Sequence, residues 1–149
     1  MSFLSAFNTS VSGMTAQRQR VNTISENIAN AETTRTPQGG PYRRREVILA
    51  SVANDRTFEE ELLSQDRSVS TSTEVKVVGV VQDERPPILR FEPGHPDANE
   101  EGYVEMPNVN IMEEMVNLMS ANRSYEANTA AFNATKNMVQ SALDLGRNA

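Results

Sequence analysis

Apolar residues recur at steps of three and four at both ends of this 149-residue chain. Near the start they are Leu4, Phe7, Val11, Met14, Val21 and Ile28, with Arg18 and Ser25 at the two intervening places. Near the finish they are Ile111, Met115, Leu118, Tyr125, Phe132, Val139 and Leu143, broken by Asn122, Thr129 and Lys136. A seven-residue repeat gives a helix one narrow apolar stripe, the pattern of helices that pack lengthwise against other helices. The spacing predicts one helix from about Ser2 to Ala31 and a second from about Pro107 to Leu145. Asn108 or Asn110 would cap the second helix, Glu113 and Glu114 would sit in its first turn, and Gly146 would end it.

Between the two the period changes. Thr33 to Pro41 is polar and rich in turn residues, and no helix crosses it. Tyr42–Val52 and Val75–Val81 read as strands, with Ile88–Phe91 and Tyr103–Met106 as two shorter ones around the turn Pro93, Gly94, His95 and Pro96. From Asn54 to Ser72 the chain is polar, with a short helical possibility at Phe58–Leu63. The expected class is α+β: long terminal helices paired as a coiled coil or bundle, with a small β-rich insert. Residues 1–32 and 107–149 would form the helical core, and residues 33–106 the insert.

Composition sharpens this picture. With 38% hydrophobic and 5% aromatic residues and no Trp, a single large core is not expected. Asn8, Thr9, Ser10, Ser12, Gly13, Asn22, Thr23, Ser25 and Asn27 are all weaker helix formers than Ala. The first segment is therefore expected to be disordered or marginally helical in the free monomer, becoming ordered when neighbours cover it. The formal charge of −6 opposes general nucleic-acid or anionic-membrane binding. No apolar stretch is long enough to span a bilayer, and the first residues lack the basic and continuous apolar regions of a secretory signal. The absence of cysteine excludes disulfides and thiolate metal sites.

Candidate chemistry is sparse, and neither a cofactor nor an enzymatic activity is expected. His95 is the sole histidine, so one chain cannot build a His-based triad or a multi-histidine metal site. Asp97, Asn99, Glu101 and Gly102 imitate part of a calcium loop, but the twelfth place is Asn108 and the flanking prolines forbid the entering helix. Glu59, Glu60 and Glu61 read as a solvated face. Sequons at Asn8, Asn122 and Asn133 read as chance. Arg43, Arg44 and Arg45 cannot form one flat patch on a strand, and salt bridges to acidic neighbours are the preferred reading. Asparagines spread along both helices read either as an ordinary hydrated helix surface or as lateral contacts between subunits, since amides desolvate at lower cost than charges.

Val21–Thr33, reading VNTISENIANAET, resembles the Asn-rich N-terminal signature of bacterial flagellar rod, hook and hook-associated proteins. Met106–Met138, reading MPNVNIMEEMVNLMSANRSYEANTAAFNATKNM, is similar to the C-terminal signature of the proximal rod subunits among them, as are PYRRREV and FEPGHPDANEEGYVEMPNV. The resemblance covers most of the chain, Asn54–Ser72 being its least typical part.

The resemblance implies a structural subunit of the flagellar basal body. Such a subunit is exported uncleaved by the flagellar type III apparatus and assembled helically into the periplasm-spanning rod, which transmits torque and encloses the export channel. Its partners would be copies of itself, other rod proteins, the rod-base adaptor of the MS ring and the export apparatus. Carried over by position, Asn27, Asn30, Ala31, Asn108, Met115, Arg123, Tyr125 and Asn128 join the stripe residues as expected packing and subunit contacts. Leu4 and Phe7 would also take part in export recognition. Two alternatives follow: another axial rod or hook subunit, or a peptidoglycan hydrolase.

Overall fold

The structure is a computed structural model that describes residues 3–53 and 73–147. Glu59–Glu61 and the possible helix Phe58–Leu63 lie outside the described residues. Helix α1 spans Phe3–Ala29 and helix α2 spans Ile111–Arg147. Between them come β1 (Arg45–Ala53), β2 (Thr73–Gln82), β3 (Ile88–Phe91) and β4 (Tyr103–Met106). The class is α+β with paired terminal helices, as the spacing predicts.

Helix α1 accommodates its poor helix formers by turning their hydroxyls back onto the preceding turn. Thr9 donates to the Ser5 carbonyl at 2.9 Å, Ser10 to that of Ala6 at 3.0 Å and Ser25 to that of Val21 at 2.9 Å. Helix α2 opens on Asn110, whose Oδ1 accepts from the Met112 amide at 3.1 Å. Asn108 instead reaches the Pro86 carbonyl at 3.5 Å. Gly146 does not end α2, which continues to Arg147. A glycine is only a permissive stop, and here the backbone stays helical through it.

β1 and β2 form an antiparallel ribbon running from the Arg45–Gln82 pair to the Ala53–Thr73 pair, with a register shift between Ile48 and Leu49 that skips Val78. The segment Tyr42–Arg44, expected as strand, precedes the ladder, and the side chains of Tyr42 and Arg44 are drawn into the helix junction described below. The ribbon lies along α1: Thr9 donates to the Thr73 carbonyl at 3.2 Å, and the Val75 amide donates to Ser12 at 3.2 Å.

β3 and β4 pair from Ile88–Met106 to Phe91–Tyr103, within the residues expected for both strands. Their connection is fixed by Asn99, which accepts from the amides of Glu101 and Tyr103 at 3.0 and 2.8 Å, and by Gly102 at φ +83°. A Cβ on Gly102 would stand 3.0 Å from the Phe91 ring, so the turn requires glycine on both counts. Asp97 accepts from Thr34 at 2.8 Å, tying this hairpin to the loop after α1.

Among the described residues the buried apolar ones are few, and half are alanines: Ala16, Ile24, Ala31, Tyr42, Val104 and Ala121. Large apolar side chains are instead exposed along α2 and on the strands, and at Leu4 and Val11 on α1. No helix among the described residues is long and apolar enough to cross a membrane.

Candidate subunit interface and the junction behind it

Three contacts define how the helices meet. The Phe7 and Phe132 rings pack edge to face at 4.9 Å, Gly13 lies against the Asn128 amide, and Asn27 bonds to Glu114 at 3.0 Å. The rising numbers on α1 match falling numbers on α2, so the helices run antiparallel.

The face α2 turns inward is not the stripe of greatest hydrophobicity. Glu114, Ala121 and Thr135 are the buried residues of α2; with half-buried Asn128 they recur every seven positions. On α1 the buried set includes Ser10, Gly13, Thr23, Ile24 and Asn27. Phe7, Met14, Val21, Ile28, Leu118, Phe132 and Val139 are half-buried along the shoulder of this seam, where Thr129 donates to the Met14 sulfur at 3.4 Å. Leu4, Val11, Ile111, Met115, Tyr125 and Leu143 are exposed, as is Arg123. The expected stripes are thus divided between the intramolecular contact and solvent. Periodicity alone placed only part of the seam because it counts apolar residues and is blind to polar groups that satisfy one another.

Those polar groups form a junction among α1, β1 and α2. The Asn27 amide donates to the Arg45 carbonyl at 2.8 Å and to Glu114 Oε2 at 3.0 Å. Asn27 Oδ1 accepts from the Tyr42 hydroxyl and the Arg45 amide, both at 2.9 Å. Glu114, 1% exposed, is also held by Arg44 at 2.8 Å. Burial opposes the charge of Arg44, but Glu114 and Glu46 more than offset it and hold the guanidinium above its ordinary pKa. Desolvation raises the Tyr42 pKa, against the opposing pull of Arg45, which stacks 5.8 Å from the ring centroid.

Of the arginine run, Arg44 and Arg45 make ion pairs within the chain, Arg45 with Glu26 at 3.6 Å. Sequence reasoning missed Glu114 and Tyr42 as junction members, although Glu114 stands in phase with Ala121, Asn128 and Thr135. Asn27 and Ala31, expected at subunit contacts, are buried inside the chain, and Asn30 donates to the Glu26 carbonyl at 2.9 Å. The residues that imitate a calcium loop are occupied by the turn: Asn99 caps it, and Asp97 takes the Thr34 hydroxyl.

On the outer side of α2, Met112, Met115, Val116 and Met119 are all exposed, and Val116, Met119, Arg123 and Ala127 line an open groove.

Known proteins match the chain along its length. Residues 7–35 match the family described as flagella basal body rod protein, and residues 100–145 match the flagellar basal body rod FlgEFG protein C-terminal family. The flagellar basal-body rod protein FlgC of Borreliella burgdorferi is 42% identical over 96% of this chain and 97% of its own length. Those of Bacillus subtilis and Escherichia coli O6:H1 are 43% and 39% identical, each over 99% of this chain and 100% of their own. Helix pairing, exposed apolar faces and full-length similarity converge, and the chain belongs to the FlgC family of flagellar basal-body rod proteins.

Proposed function

We propose that this protein is a non-catalytic structural subunit of the proximal rod, assembled helically with copies of itself and with other rod proteins to transmit torque and enclose the export channel. In this reading residues 1–32 and 107–149 line the axial core, and residues 33–106 face outward toward adjoining subunits. The subunit travels uncleaved through the flagellar type III apparatus and joins the rod-base adaptor at the MS ring.

One observation carries the reading. Met112, Met115, Val116 and Met119 form a stripe on α2 that the other described residues leave uncovered, with Met112 72% and Val116 61% exposed. Neighbouring molecules in a helical polymer would cover it, and removing such area from water is worth roughly 25 cal/mol per Å². The separate expectation of a marginal free-monomer α1 fits the same logic, because polymer neighbours would add the missing cover.

The test is Met119→Asp in a strain lacking its own copy of the gene. Swimming and basal-body rods in electron micrographs should be lost, while the purified variant keeps its circular dichroism and shifts in stability by less than about 0.5 kcal/mol. Normal swimming would defeat the proposal.

A further inference from the structure

The helices carry two competing seams. One is apolar, led by Leu4, Val11 and Met115 and bordered by Phe7, Met14, Leu118 and Phe132, which already lie half-buried along the seam in use. The other, which the fold uses, mixes Ser10, Gly13, Asn27, Glu114, Asn128 and Thr135 with the buried apolar Ile24 and Ala121. Hydrophobic burial alone favours the first. We propose that the Arg44–Glu114–Asn27 junction selects the second seam, so that the outer apolar residues Leu4, Val11 and Met115 are withheld from the helix contact and left for neighbouring molecules.

The geometry supplies the reason. Asn27 is bolted to the loop by Tyr42 and to the backbone of Arg45, which fixes the rotation of α1 against β1. Its remaining N–H and the Arg44 guanidinium meet Glu114 together, which fixes the rotation and register of α2. These bonds come from three segments and exist in only one arrangement. Any roll toward the apolar seam separates Glu114 from its partners and leaves Arg44, whose side chain is 14% exposed, without its buried counter-charge. A buried ion pair adds little stability over hydrocarbon of equal volume, but it discriminates sharply between registers. The role of Glu114, Arg44 and Asn27 is therefore one of specificity.

The absence of cysteine allows a direct test. Thr135→Cys places a thiol at a buried seam position, and Met115→Cys places one on the exposed apolar face. Position 135 is 21 residues from Glu114 along α2, so its reactivity reports the whole seam and not local damage. Alkylation rates of the two full-length chains are measured against the same chains unfolded in urea. In the otherwise unchanged protein, Thr135→Cys should react about tenfold more slowly than Met115→Cys. In the Arg44→Met/Glu114→Met background the order should invert, with helical circular dichroism retained.

An unchanged order overturns the proposal. So does fast reaction of both thiols with loss of helicity, which would make the junction a stabiliser only. Equal rates in the unchanged protein also overturn it. That the withheld faces serve neighbours rests on the proposed rod function. An inverted order with normal swimming would uphold seam selection and defeat the rod reading.

Discussion

Asn27 and Glu114 are 87 residues apart in sequence, and their side chains hydrogen-bond at 3.0 Å in the interior. This bond joins the end of one terminal helix to the start of the other. Glu114→Ala should cost about 3 kcal/mol in denaturant unfolding, because it leaves Arg44 and one Asn27 N–H buried without a partner. Glu114→Gln keeps the volume and an acceptor, and should cost roughly half as much.

Gly13 tests how closely the helices approach. A Cβ there would lie 3.0 Å from Asn128 Nδ2, which now donates to the Ser124 carbonyl at 2.9 Å. Gly13→Ala gains up to about 1 kcal/mol of helix propensity but crowds the amide at a cost of about 1–3 kcal/mol, so net destabilisation is expected. Adding Asn128→Ala should recover stability above that of Gly13→Ala alone. A strictly additive double variant, measured by thermal melting, would contradict the contact.

Phe132→Asp strikes a residue with two duties, since its ring packs on Phe7 inside the chain while the stripe continues outward. Rod assembly and motility should be abolished and the monomer should stay soluble. Amide exchange should locate a further effect: protection lost around Phe7, but kept near Asn27, where the junction holds α1. Leu118→Asp should likewise abolish assembly.

Tyr42 sets an alkaline limit. Its pKa is raised in the folded protein by burial, and the hydroxyl proton is the one donated to Asn27. Such a group contributes stability that is complete below its ordinary value of 10.0 and is lost as pH rises through the higher folded value. Stability should therefore decline above pH 10, and Tyr42→Phe should flatten that limb. Ultraviolet titration of the three tyrosines, compared with the variant, identifies the late one.

The long elements were legible because their signals are local. Ile88–Phe91 and Tyr103–Met106 emerged from β-branched and aromatic runs bounded by prolines and glycines, and both helices from their repeats. The seam was half legible. Leu118, Phe132, Phe7 and Met14 do lie along the contact, whereas Leu4, Val11 and Met115 do not. The deciding residues, Glu114 and Asn27, meet only after the chain has folded back on itself, and a bond across 87 residues leaves no trace in a seven-residue window. The ion pairs of Arg44 and Arg45 were legible as a class, although of the three arginines only Arg45 lies on the strand that the reading assumed. Their particular partners were not.

With Phe7 facing Phe132, Phe3 at the start of the described part of α1 stands level with about residue 136, so the described part of α2 outruns it by roughly 11 residues, or about 16 Å. Molecules stacked end to end would therefore meet on a step and not on a flat plane. When one is twisted against the next, the load would fall on the flank of a projecting helix, where sliding is blocked, and not on two blunt tips free to skid.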